Sequence, residues 1–542
     1  MARTPLFSFV RRSMQLATAA SKPGTPSVDD FLGRVSELQS AEVSRRLFLR
    51  TAAVAGAVAA TPDLYTAFAK EGSSRPRTAI VGAGIAGLNC AYKLRKAGVD
   101  VQVFEASSRV GGRMFSARNL LAQGLTTEMG GEFIDSGHEE MLALVKEFKL
   151  DLWDFQKKDG KKSDAFFFNG KHLTEQQVVK AFIPLAKQIA ADAETLGEEV
   201  SYREHGNGEK LDRTSIAQYL DRIDARGWIR ELLEVAYVTE YGLEAEEQSS
   251  LNLIFLIGTD TDDGFKTFGE SDERYTVKGG NERVIEGLAS RLGGVVELRN
   301  RLQAITSKGS GFRLTFEGPS GKSVDRDFES VVLTLPFTML REVDIRVPLP
   351  EVKRRAINQL GYGTNAKVMA GFHNRQWRKL GYRGTTLTDE QFQLCWDNGA
   401  FQPVTSGGIT FFSGGRRGID VGKGTAREAL SRLMPGFERA YPGSTELLNG
   451  KVSRMHWPTH PFTKASYSCY KPGQWTSIAG SEGESVGNLH FAGEHTSADF
   501  QGYMNGGAQS GADVAKAILS MVSTKAARLF GRLPRGPRRA IA

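Results

Sequence analysis

Cysteine is scarce in this sequence: 542 residues carry only Cys90, Cys395 and Cys469. An odd, sparse set builds no disulfide framework and leaves no cysteine zinc site. Histidine is nearly as rare, at eight residues. The one pair with metal-like spacing, His456 and His460, has Pro458 between them, which blocks a helical i,i+4 arrangement. No metal is expected. Apolar runs are short as well. The longest, residues 51–60, is half of the ~20 residues a membrane-spanning helix needs, so no transmembrane segment is expected. At 40% hydrophobic and 24% charged residues the chain is neither disordered nor fibrous. Its length allows two or more domains.

The net charge of +8 is unevenly placed. Residues 1–77 carry +5, residues 521–542 carry +6, and the body between them carries −3. The basic excess therefore belongs to the two ends and gives no reason to expect nucleic-acid binding. Residues 521–542 read as a solvated basic tail. At the other end, Ser44-Arg45-Arg46-Leu47-Phe48-Leu49-Arg50 precedes the weakly apolar run, and Ala67-Phe68-Ala69 follows it. A basic region, a short apolar region and a small-x-small site make an export signal. The paired arginines resemble a twin-arginine signal, which carries folded proteins. Residues 1–69 are thus expected to be a leader for the twin-arginine machinery, with a periplasmic or secreted product.

Glycine is abundant, at 60 residues, and its placement is informative. Gly82-Ala83-Gly84-Ile85-Ala86-Gly87 stands between a short apolar strand, residues 78–81, and a helical pattern over 86–97. A second strand, 99–104, ends at Glu105. In such a β-α-β unit the first glycine allows a tight turn. The second lets backbone approach a pyrophosphate, and the third lets helix pack on strand. The helix N-terminus faces the phosphates, and the terminal carboxylate accepts from ribose hydroxyls. Arg109-Val110-Gly111-Gly112-Arg113 adds a second close-approach loop with phosphate-reaching side chains.

Further helices are expected over 137–149, 174–200, 215–240, 283–292 and 506–521. Strands are expected over 295–299, 331–335, 366–372, 408–413 and 489–492. A hairpin is expected over 303–317. The fold class is α/β: a Rossmann-like dinucleotide-binding domain interrupted by insertions that form a mixed α+β second domain. Trp377, Trp396 and Trp457 are expected in the core.

Together these motifs resemble the flavin-containing amine oxidase family of monoamine, polyamine and L-amino-acid oxidases. Glu105-Ala106 with Arg109–Arg113 resembles its second dinucleotide motif. Glu128-Met129-Gly130-Gly131-Glu132-Phe133 resembles its flavin-side glycine pair, and Val277-Lys278-Gly279-Gly280 its adenine-side segment. Leu335-Pro336 through Pro348-Leu349-Pro350 resembles its proline-rich crossing. Gly493-Glu494 with Gly502-Tyr503-Met504 and Gly506-Gly507 resembles its C-terminal flavin motif.

The resemblance implies FAD, bound by Gly82, Gly84, Ile85, Ala86, Gly87, Glu105, Ala106, Gly111, Gly112, Arg113, Met129, Gly130, Gly131, Glu132, Gly493, Glu494, Gly502, Tyr503 and Met504. It implies a FAD-binding domain of 77–152, 273–356 and 460–520, and a substrate domain of 153–272 and 357–459. Lys367 resembles the family lysine that reaches flavin N5 through a water. Tyr467 and Tyr503 resemble the aromatic pair flanking the amine. Ser466 stands where covalent members carry a flavin-linking cysteine, so the FAD is expected to be noncovalent; Cys469 is a weaker candidate for a link.

Glu132, Phe133 and Asp135 are expected at the substrate. No arginine follows the glycine pair to clamp a carboxylate, and Asp135 resembles an acid of polyamine oxidases. Glu240, Glu244 and the run Glu270-Ser271-Asp272-Glu273 add candidate carboxylates. The expected reaction is oxidation of primary amines or di- and polyamines by hydride transfer to flavin, then O2 to H2O2. The alternatives are an L-amino-acid oxidase, for basic amino acids in particular, a flavin dehydrogenase with another acceptor, and an exported FAD-binding protein without turnover. A homodimer is compatible with the resemblance.

Overall fold

A five-stranded parallel sheet carries the glycine loop. Its order is Leu489–Phe491, Ser330–Leu333, Arg77–Val81, Asp100–Glu105, Val296–Leu298. The computed structural model describes residues 77–156, 162–197, 199–261 and 264–530, with side chains to 521. The expected leader and the end of the basic tail lie outside the described residues.

Strand Arg77–Val81 is buried after its first residue, and Val81 pairs with Leu333 on one side and Phe104 on the other. Such a doubly covered strand reads as an apolar run rather than an alternating one. Helix Ile85–Lys96 follows and buries Ile85, Leu88, Ala91 and Leu94. Each of those leucines contributes roughly 1.5–3 kcal/mol by leaving water. Gly82 has φ +109°, and a Cβ on Gly87 would stand 2.0 Å from the Gly82 carbonyl oxygen. Glycine is required at both places for local packing.

A seven-stranded sheet builds a second core. Its order is Leu448–His456, Ala366–Phe372, Gly407–Ser413, Leu394–Asp397, Tyr382–Thr388, Ser163–Phe168, Lys171–Leu173. Residues far apart in sequence thus share it, through the parallel pairing of Ser163–Phe168 with Tyr382–Thr388. Strand Ala366–Phe372 is flanked on both sides and wholly buried, so Lys367 is no edge-strand surface residue. A four-stranded sheet completes the core around the expected hairpin, Arg301–Lys308 with Gly311–Glu317.

Three expected helices differ in extent. The stretch over 215–240 is two helices, Ile216–Arg222 and Trp228–Tyr241, broken where Asp224 and Gly227 take positive φ. The stretch over 174–200 is Glu175–Glu194, opened by a Thr174–Gln177 capping box. The C-terminal helix, Met504–Phe530, runs ten residues into the stretch that reads as a basic tail. Its backbone presses on the glycine-loop helix: a Cβ on Gly511 would meet the Ala86 carbonyl at 2.2 Å.

Candidate active site

A single long cavity runs from the carboxyl end of the parallel sheet to the face of the seven-stranded sheet. That end of a parallel sheet is where α/β folds bind nucleotides. Gly82, Gly84, Ile85, Ala86, Glu105, Ala106, Gly111, Gly112 and Arg113 line it. The Glu105 carboxylate accepts from the backbone N–H groups of Ala83 and Ser107, each at 2.8 Å. The Gly111 N–H donates to the Ala83 carbonyl at 2.8 Å and locks the two glycine loops together. Gly84 meets nothing within 4 Å of an added Cβ, so its surface faces open cavity.

Arg109 lies at the rim, with its guanidinium donating to the Val110 carbonyl at 3.0 Å and stacked 4.3 Å over Phe115. Arg113 donates to the Ser466 carbonyl at 2.7 Å and to Glu494 Oε1 at 2.8 Å. Burial raises the Glu494 carboxyl. The charge of Arg113 and hydrogen bonds from Ser468 and Arg113 outweigh it, holding Glu494 below the usual carboxylate range. Glu494 also receives the Gly502 N–H at 2.9 Å, which fixes the turn into the last helix.

At the far end, the Lys367 ammonium has three acceptors: the Glu128 carbonyl at 3.1 Å, the Gly130 carbonyl at 2.7 Å and Glu132 Oε2 at 2.8 Å. Glu132 Oε1 accepts from the Trp396 indole N–H at 2.7 Å. Lys367 and Glu132 are both buried. Asn281 braces the same segment, donating to the Gly131 and Glu132 carbonyls and, through its backbone N–H, to Glu128 Oε1. Burial pushes the Glu128 carboxyl up to about 8.

Beyond Lys367 the walls are Phe133, Trp396, Phe412, Tyr467 and Tyr503. Asp135, Glu240 and Glu273 line the same region. The Tyr503 hydroxyl donates to Glu240 at 3.2 Å. Asp135 accepts from the Glu273 N–H at 3.0 Å, and its own N–H donates to His138 Nδ1 at 2.9 Å. Burial pushes Asp135 up to about 6 and Glu240 to about 7. Glu273 opens onto the cavity but is otherwise ringed by protein. Desolvation, then the nearby Glu240, Asp135, Glu132 and Asp164 charges, hold it well above the usual range.

The profile of the family described as "Flavin containing amine oxidoreductase" matches residues 85–519. The chain belongs to this family. Among its relatives, the L-amino acid dehydrogenase of Synechocystis is 25% identical over 82% of this chain and 94% of its own. Among solved structures, wild-type putrescine oxidase bound to putrescine is 21% identical with a TM-score of 0.69, covering 82% of this chain and 99% of that one. Cyclohexylamine oxidase from Brevibacterium oxydans is 22% identical with a TM-score of 0.71, covering 83% of this chain and 100% of that one. These likenesses confirm the mixed α/β fold with a parallel sheet.

The cavity of this flavin amine oxidoreductase suits the family's cofactor. Its glycine loops leave backbone bare, and its Thr463 hydroxyl is buried on the cavity wall with no hydrogen-bond partner. Gly130 could carry no side chain, since a Cβ would stand 1.7 Å from the Arg113 carbonyl.

Several expected site residues sit elsewhere. Gly87 packs under the loop rather than lining the cavity, and Met129 packs with Leu121, Leu125 and Met369. Glu244 pairs with Arg416 outside the cavity, and Asp272 accepts from Ser136. Of the acidic run only Glu273 lines the cavity. Trp377, Trp396 and Trp457 are all buried, and Trp396 and Trp457 also line the cavity. Pairing brings Trp396 there. Lys367 stands beside Phe412, Phe412 beside Leu394, and Trp396 shares the Leu394 face two residues on. Only that cross-strand register marks Trp396 as a site residue.

Proposed function

We propose that this protein is a FAD-dependent oxidase of primary amines, with di- and polyamines as its favoured substrates. One observation carries the reading. Asp135, Glu240 and Glu273 line the aromatic end of the cavity, and none of them pairs with a lysine or arginine among the described residues. A carboxylate cluster on a cavity wall without cations attracts a dication. Putrescine oxidase, a fold likeness with a diamine bound, points the same way.

A carboxylate-bearing substrate fits less well. The lining arginines are all engaged: Arg109 with backbone carbonyls, Arg113 with Glu494, and Arg301 with Glu342 at 2.7 Å. The Synechocystis relative, an L-amino acid dehydrogenase, keeps an L-amino-acid substrate as the second reading.

FAD, when bound, supplies the hydride acceptor. Glu105 and Arg113 would hold its nucleotide and ribityl regions. Tyr467 and Tyr503 would form walls that orient the amine, and their ring faces favour a partly positive nitrogen. Phe133, Trp396 and Phe412 would exclude water. Lys367 would place its fixed positive charge where O2 is reduced to H2O2. Noncovalent attachment is supported by two facts. The Ser466 hydroxyl is engaged with Asn365 at 2.6 Å, and none of the three buried cysteines lines the cavity. Segments 77–152, 273–356 and 460–520 would bind FAD and 153–272 with 357–459 the substrate; the seven-stranded sheet, built from both latter segments, supports that division.

Asp135→Asn combined with Glu273→Gln is expected to raise KM for putrescine by about 10²-fold while changing benzylamine little, since two charge contacts of roughly 1.4 kcal/mol each are lost. Equal effects on both amines would contradict the reading. We also propose export through residues 1–69. Fractionated cells should hold the mature protein outside the inner membrane, and Arg45→Lys with Arg46→Lys should retain it inside.

A further inference from the structure

An amine must lose a proton before it can lose a hydride, and free alkylammonium groups have pKa values near ~10. The cavity therefore needs a proton acceptor at its aromatic end. Lys367 is excluded: it is a cation with all three N–H groups engaged by the Glu128 and Gly130 carbonyls and Glu132. Tyr467 and Tyr503 are excluded because burial holds both phenols protonated, well above their usual range. Glu132 is committed on both oxygens, to Lys367 and Trp396.

Glu240 differs from all of these. It sits at the end of helix Trp228–Tyr241, lines the cavity, and is joined by one hydrogen bond to Tyr503. The groups facing it are Tyr503, Tyr467, Tyr241, Tyr237, Asp135 and Glu273, with the closed Glu132–Lys367 pair beyond. No uncommitted cation is among them. We propose that Glu240 is the general base that deprotonates the bound substrate ammonium, with Tyr503 holding its carboxylate against the amine.

This rests on the amine-oxidase reading above. In the step, one N–H bond of the ammonium breaks and its proton moves to a Glu240 oxygen. The electron pair stays on nitrogen, which becomes the neutral amine, and Glu240 becomes a neutral acid. A base that titrates near neutrality is suited to this task, and burial, the largest influence on Glu240, moves it to about 7. The carboxylate form is lost as pH falls through that value. Asp135 and Glu273, tied to one another through the Glu273 N–H, remain to hold the distal ammonium.

The test uses the holoenzyme and anaerobic flavin reduction by two benzylamines, one made less basic by an electron-withdrawing ring substituent. The expected result is an acid limb near pH 7 in the second-order rate constant of flavin reduction with the same midpoint for both amines. Glu240→Gln should retain the bound-flavin spectrum, lose that limb and fall about 10²-fold above it; Glu240→Asp should restore the limb. A limb that moves with the basicity of the amine would mean deprotonation in solution and would overturn the proposal, as would an unchanged limb in Glu240→Gln.

A second measurement needs no variant. tert-Butylamine has no hydrogen on the carbon beside nitrogen and is not oxidised. Calorimetry in two buffers at pH 8 should show that it binds with no proton released to solvent, and release of one proton would overturn the assignment. If no amine reduces the flavin at all, the amine-oxidase reading fails first, which separates the two claims.

Discussion

Lys367→Met is expected to slow reoxidation of the reduced enzyme by O2 by about 10²–10³-fold, the scale seen when one preorganised charge-stabilising donor is removed from a reacting centre. It leaves the amine-dependent reduction step nearly intact. Lys367 is the second residue of the wholly buried strand Ala366–Phe372, and its ammonium is fixed by three acceptors rather than by solvent. A rigid cation needs no reorganisation when negative charge develops on oxygen. The same change has a structural consequence, because Glu132 is left as a buried carboxylate. Breaking such a pair from one side costs about 3–5 kcal/mol. Glu132→Gln added to Lys367→Met should recover most of that loss in denaturant unfolding and none of the reoxidation rate. Stopped-flow mixing of reduced enzyme with O2 checks the first effect. An unchanged rate removes Lys367 from the oxygen reaction.

Arg113→Leu should yield protein almost free of flavin. Arg113 is the cation that holds Glu494 ionised while burial opposes it, and it also ties the Ser466 carbonyl to the glycine loop. Without it, Glu494 is buried beside Ser468 and the Gly502 N–H with no counter-charge. The expected cost is again about 3–5 kcal/mol. The pH dependence has a definite sign. Glu494 lies below its unfolded value in the native enzyme, so its contribution is present above the ordinary carboxylate range and is lost as pH falls through the folded value. In Arg113→Leu that acid-side loss should shrink. Urea unfolding between neutral and acid pH measures it, and full flavin loading with an unchanged acid limb would contradict the role.

The nucleotide end was legible because its chemistry is local. Gly82 through Gly87, Glu105 and the Arg109–Arg113 loop all lie between residues 82 and 113, and the glycines' roles in turn, close approach and packing can be read from order alone. Lys367 was legible through the family resemblance, and a lysine among apolar strand residues demands a partner. The identity of that partner was less so: Glu132 lies 235 positions away and meets it only through sheet assembly. Trp396 reads as core for the same reason, since its face depends on which strand pairs with Gly407–Ser413. Acidic residues were the hardest to sort. Glu244 and Glu273 look alike in sequence, yet one caps a loop with Arg416 and the other opens onto the cavity. Helix Met504–Phe530 runs past its 506–521 amphipathic pattern, and its early turns pack against the glycine-loop helix.

The most direct test of the carboxylate-lined cavity is anaerobic loss of the oxidised-flavin band on adding benzylamine, tyramine, putrescine, spermidine, L-Arg, L-Lys or L-Phe. The account predicts fastest loss with putrescine or spermidine, slower loss with the monoamines, and little with the amino acids. Loss with L-Phe or L-Lys and none with putrescine would contradict it. It would mean that the cavity holds a carboxylate through a cation other than the engaged Arg109, Arg113 and Arg301.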